Sequence, residues 1–187
     1  MKKTFLTSIA AAALSLTFSA TAQMGDMKDP MVGGAAMYPS KTIVENAVNS
    51  PIHTTLVAAV KAAGLVDTLN SPGPFTVFAP TNDAFAKLPA GTVDTLVKPE
   101  NKATLTKILT YHVVAGRLSS KDIAAGIKAG GGKYELTTVE GGKLTATMSG
   151  KKIMLTDEKG GMATITTSNV YQSNGVIDVI DTVLMPS

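Results

Sequence analysis

The chain changes texture at Gly130. Before it, apolar residues recur at helical spacing; after it, short runs rich in Thr and branched residues alternate with Gly-bearing turns. Helices dominate the first half and hairpins the second. The expected class is therefore α+β, in one domain.

The elements follow from local signals. Ser40 can cap a first helix carrying Ile43, Val44, Ala47 and Val48 on one face. Pro51 suits the first turn of a second helix with the stripe Leu56, Val57, Val60 and Ala63, ended by Gly64. Phe75–Phe78 reads as a short strand stopped by Pro80, after which Thr81 caps a helix with Asp83 in its positive first turn. Further helices are expected at 92–97 and 100–110, a strand over Tyr111–Val114, and a loose capping box from Ser119. Strands follow at 134–139, 143–148, 151–156 and 163–167, separated by Gly141-Gly142, Ser149-Gly150 and Gly160-Gly161. The run from Val176 to Met185 is apolar on both parities, the pattern of a strand buried on both faces.

Residues 1–22 stand apart. Lys2-Lys3, the greasy stretch Ile9–Leu16 and the small-x-small end Ala20-Thr21-Ala22 make a secretory leader cleaved before Gln23. No second long apolar run follows, and nothing after the last strand reads as a sorting tail, so a periplasmic or extracellular location is expected, without an integral membrane segment. Residues 23–39 show no periodicity and read as a flexible arm, which leaves 40–187 as the folded domain.

Composition excludes several function classes. Removing Lys2 and Lys3 from 17 basic residues leaves 15 against 14 acidic, a net charge of +1 after cleavage. Arg117 is the sole arginine, so nucleic-acid readout through Arg forks is not expected. The chain has no cysteine, which removes disulfides, thiolate nucleophiles and thiolate metal sites. Only His53 and His112 could serve as an imidazole base, and there is neither a Gly-x-Ser-x-Gly elbow nor a phosphate loop. His53 reads as a surface residue in the first turn of its helix. His112, next to Tyr111 on an expected strand, reads as a framework histidine. Asp178 and Asp181, three apart on a strand, fall on opposite faces and cannot pair as acid and base. No catalytic residue and no cofactor is expected.

Three segments together resemble the fasciclin (FAS1) domain family. They are Gly73–Phe85, with Thr81, Asn82, Asp83 and Phe85; Tyr111-His112-Val113-Val114; and Ser173–Asp181, with Asn174, Gly175 and Asp181. The resemblance implies one complete domain over about 40–186 and a secreted, non-catalytic adhesion or interaction module. Its partner would be a cell-surface or matrix protein, a glycan, or a second copy of the chain. Two positions depart from the family pattern. Asp178 stands where the family often has His, and Asn169-Val170 replaces the Asp-Ile pair that animal matrix members use for integrins. There is no Arg-Gly-Asp tripeptide either, so integrin binding is not carried over.

The arm supplies the alternative. Met24, Met27, Met31 and Met37 crowd one short stretch, and thioethers are soft ligands suited to Cu(I). A copper function would rest on Met24, Met27 and Met31 acting together. Asp26 and Asp29 lack the glycine-bearing acidic pattern of a calcium loop.

Overall fold

The computed structural model describes residues 29–187. Residues 31–36 form a hairpin, β1 (Met31–Val32) and β2 (Ala35–Ala36). Six helices occupy most of the first half: α1 (Ile43–Asn49), α2 (Thr54–Ala63), α3 (Val66–Asn70), α4 (Asn82–Ala86), α5 (Thr92–Leu96) and α6 (Lys102–Tyr111). Strands β3 (Phe75–Pro80) and β4 (Val113–Ala115) interrupt and end this series. After α7 (Ser120–Ala129) come β5 (Lys133–Thr137), β6 (Lys143–Ser149), β7 (Lys152–Thr156), β8 (Met162–Gln172) and β9 (Gly175–Ile180).

The last seven strands form one sheet in the order β4-β3-β9-β8-β7-β6-β5, antiparallel except for the parallel pair β3–β9. Its two ends meet: Val114 bridges Thr138, and the Val139 N–H donates to the Val113 carbonyl at 2.7 Å. The sheet thus curls onto itself, which removes most of the open edge that would invite pairing with another chain.

Alternation along β3 and β9 divides the interior. Val77, Ala79, Ile177 and Val179 face a core beneath α1–α6, while Phe78 and Ile180 face a second core beneath α7 and the hairpins. Every residue of β9 is buried, as its double-parity apolar run predicts.

Several local expectations change. Thr42, not Ser40, caps α1, with a reciprocal bond between Glu45 and the Thr42 backbone. The segment read as a strand at Tyr111–Val114 begins as the end of α6, with His112 at the helix C-terminus and the strand starting at Val113. The arm assigned to 23–39 is folded from its described part onward. Gly33 and Gly34, at φ 61° and 86°, make the tight turn of the hairpin, and Val32 and Met37 are buried in the first core. Burial of two apolar side chains outweighs the weak propensity of two-residue strands. The secretory leader and residues 23–28 lie outside the described residues.

Candidate functional site

The three recognised segments converge because β3 lies between β4 and β9. Phe75 pairs with Gly175 and Pro80 with Ile180, and the Thr81 N–H reaches the Ile180 carbonyl at 3.3 Å. Their polar side chains act on the chain's own backbone.

The Thr81 hydroxyl accepts from the Ala84 N–H and caps α4. The Asn82 side-chain carbonyl accepts from the Thr55 N–H at 3.1 Å, while its amide donates to the Pro51 carbonyl, clamping the start of α2. Asn174 accepts from the Ile43 N–H at 3.0 Å and donates to the carbonyls of Leu69 and Ser71, joining α1, α3 and the last turn. Asp181 accepts from the Thr164 N–H at 2.8 Å, which fixes the end of β9 on β8. Phe85 is buried in the first core, and Asp83 is exposed.

His112 is 2% exposed. Its Nδ1 lies 2.8 Å from the Ile108 carbonyl and its Nε2 is 3.0 Å from the Leu184 N–H. A carbonyl only accepts and an N–H only donates, so these partners select the neutral ring protonated on Nδ1. Burial pushes its pKa down to about 4. His53 is also buried, with Nδ1 2.8 Å from the Ser50 hydroxyl, where the sequence suggests a surface position. The reason is the turn before α2: Pro51 takes the exposed place and His53 folds inward as the N-terminal flanking residue.

Tyr111 is fully buried, donating to the Lys143 carbonyl at 2.7 Å and accepting from the Glu158 N–H. Desolvation raises its pKa to about 12. Tyr111→Phe leaves both backbone groups short of a partner and is expected to lower stability by about 1–2 kcal/mol. Chemical denaturation of both chains measures it, and an unchanged midpoint would contradict the assignment.

Asp178 sits behind a bulge. The register between β8 and β9 shifts between Thr167 and Val170, and Asn169 adopts φ 61° there. The Asp178 Oδ1 accepts from the Asn169 N–H at 2.9 Å, whereas Oδ2 is buried without a partner. The Asn169 side chain in turn holds the Ser120 N–H at 2.8 Å, tying the bulge to the start of α7.

Beside this bulge lies an open groove of about 400 Å³ between α7 and the β6–β8 strands. Lys121, Lys151 and Lys152 stand on it as exposed cations, Ile153 and Ile165 are buried at its floor, and Met148 is exposed. Among the described residues no acidic side chain lines it. The sequence offers little warning of this surface, since its residues come from four separate segments and, of its three lysines, only Lys151 and Lys152 are neighbours in sequence. By contrast, the cavity beside His112, under α1 and α2, is apolar and only about 30 Å³, about the room of one water.

Met31 of the copper alternative is 60% exposed in β1, Met37 is buried, and Met24 and Met27 lie outside the described residues. Among the described residues no group of three His, Cys, Asp or Glu side chains is placed to hold a metal, and no helix is long and apolar enough to cross a membrane.

Comparison with known proteins agrees with this geometry. A family model described as Fasciclin domain matches residues 51–186. The chain is 45% identical to Protein sll1483 of Synechocystis sp., over 96% of this chain and 93% of that protein. It is 38% identical to Immunogenic protein MPB70 of Mycobacterium bovis, over 94% of this chain and 90% of the relative. Cell surface glycolipoprotein MPB83 of the same species is 39% identical over 83% of this chain, which spans only 64% of that longer protein. Among solved structures, a FAS1 domain pair from the insect cell adhesion molecule Fasciclin I superposes with a TM-score of 0.69 at 20% identity. That match covers 79% of this chain and about half (51%) of the pair, and it speaks to fold alone. With its three signature segments laced together around β3 and β9 and a family match over most of its length, this chain belongs to the fasciclin domain family.

Proposed function

We propose that the chain is an exported, non-catalytic adhesion or interaction module. The observation that carries this reading is the use of the signature polar groups: Thr81, Asn82, Tyr111, His112, Asn174 and Asp181 all bond backbone of the same domain. Groups engaged in that way build a rigid scaffold and leave recognition to the surface. The secretory pattern of residues 1–22 supports export to the periplasm or beyond. A relative named a cell surface glycolipoprotein supports contact at a cell surface. The partner is a surface protein, a glycan or a second copy of the chain. Integrin recognition stays outside the proposal, because Asn169 supplies no carboxylate and its amide is engaged with Ser120.

Beads carrying the chain without residues 1–22 are expected to adhere to intact cells and to envelope fragments, in competition with soluble protein. Turnover in a broad hydrolase screen, combined with no adhesion, would overturn the reading in favour of an enzyme.

A further inference from the structure

We propose that the groove between α7 and β6–β8 binds a polysaccharide bearing carboxylates, a polyuronate. This inference rests on the adhesion reading above and names the partner class and the surface.

The global charge conceals the feature. A net charge of +1 without residues 1–22 gives no reason to expect an anionic partner, yet three exposed lysines meet on one groove with no acid among its described lining residues. Asp122 follows Lys121 in sequence, but its carboxylate is engaged by the Ser119 N–H at 2.8 Å and hydroxyl at 2.6 Å. A concave basic surface gathers field lines and raises the local concentration of anions. The lining also carries the hydroxyl residues Ser120, Thr166 and Ser168 above the apolar floor of Ile153 and Ile165. Cations, hydroxyls and an apolar floor match the carboxylates, ring hydroxyls and C–H faces of a uronate chain.

Two features separate this ligand from others. An extended acidic peptide gains most when it adds a strand to a free sheet edge. Here β6, β7 and β8 are interior strands, and where the β7–β8 ladder stops, at Met154 and Thr164, the groove offers only a short edge broken by register shifts on β8 between Ile165 and Val170, too little for an added strand. Neutral sugars favour stacking on aromatic rings, and among the described residues no aromatic side chain lines the groove. Charge is therefore the main source of affinity, and lysines act as point charges that suit spaced carboxylates without fixing a single geometry.

Binding of the leaderless chain to immobilised alginate is the test, with dextran and poly-glutamate as companion surfaces. The unmodified chain is expected to bind alginate in low salt, about 0.02 M, to release at about 0.5 M, and to ignore dextran. The variant Lys121→Ala/Lys151→Ala/Lys152→Ala should lose about tenfold or more in affinity, since each exposed charge contributes modestly and three act together. These side chains are exposed, so an unchanged melting curve is expected. A second triple variant, Lys61→Ala/Lys98→Ala/Lys102→Ala on the helical half, should bind as the unmodified chain does. Equal losses in both variants would reduce the effect to general charge and overturn the proposal. Tighter binding to poly-glutamate than to alginate would overturn it in favour of an acidic peptide. If the groove variant still adheres to cells while alginate binding is absent throughout, the groove assignment fails and the adhesion reading stands.

Discussion

Gly175→Ala is expected to destabilise the domain by about 4 kcal/mol and to leave a large unfolded fraction at moderate temperature. A β-carbon at this position would sit 2.2 Å from the Phe75 carbonyl oxygen and 2.9 Å from the Ile43 side chain. The oxygen belongs to backbone, so no rotamer change relieves the contact. Phe75 and Gly175 open the parallel pairing of β3 and β9, and the Phe75 N–H also donates to the Asn174 carbonyl at 3.1 Å. Relief of the clash must part the strands where the first and last signature segments meet. Overpacking alone costs about 1–3 kcal/mol. Displacing Asn174, whose side chain holds Ile43, Leu69 and Ser71, adds about 1 kcal/mol for each bond lost. Gly141→Ala is the control: φ is 105° there with no atom near the added carbon, so only backbone strain of about 1–2 kcal/mol is expected. Denaturant midpoints of the two variants decide the matter, and a loss below about 1 kcal/mol for Gly175→Ala would refute the close approach.

What the sequence discloses depends on how far apart the interacting residues lie. Signals confined to a few neighbours mostly read correctly, the cap of α1 at Thr42 instead of Ser40 being the exception. Ser119 caps α7 with Asp122 in a reciprocal box, Thr81 caps α4, and the glycine pairs fall in the turns between the last strands. The double-parity run of β9 announces its burial, because a strand between two cores needs apolar residues on both faces. Misreadings occur where a side chain answers to distant partners. Tyr111-His112-Val113-Val114 has strand composition, yet Leu105, Ile108 and Leu109 bind α6 into the first core and carry the helix through Tyr111. His53 turns inward to Ser50, and residues 31–37 fold because Val32 and Met37 find a core contributed by remote helices. The Gly33-Gly34 pair was the one local hint of that hairpin. The basic groove is the least legible feature: Lys121 and Lys151 are 30 positions apart, and only packing of α7 beside the hairpins brings them together.

Asp178→Asn should make the domain more stable at pH 7.5, by about 2 kcal/mol, and should expose an acid sensitivity that the native chain conceals. The carboxyl is buried with Oδ2 unpartnered, and desolvation raises its pKa from 3.8 to about 6. The folded state therefore takes up this proton before the unfolded chain does. Its contribution is unfavourable above pH 6 and is relieved as pH falls from about 6 towards 4. At about 1.4 kcal/mol per unit, that relief amounts to about 3 kcal/mol. His112 works in the opposite direction. Its folded pKa is lowered from 6.5 to about 4 by burial, so the neutral ring favours the fold above pH 6.5 and that advantage is lost as pH falls towards 4. The loss is about 3 kcal/mol by the same conversion, and His53, also lowered by burial, adds to it. Over the window from pH 6.5 to 4 the carboxyl and the imidazole nearly offset each other, and the native chain should show a shallow profile. Asparagine keeps an acceptor for the Asn169 N–H but cannot take up the proton, so the histidine slope is left unopposed. Denaturant titrations from pH 4 to 8 in about 0.5 M salt, which screens the exposed carboxylates, separate the two contributions. Parallel profiles for the two chains, or an Asp178→Asn variant less stable at pH 7.5, would show that Asp178 is not a buried charge working against the fold.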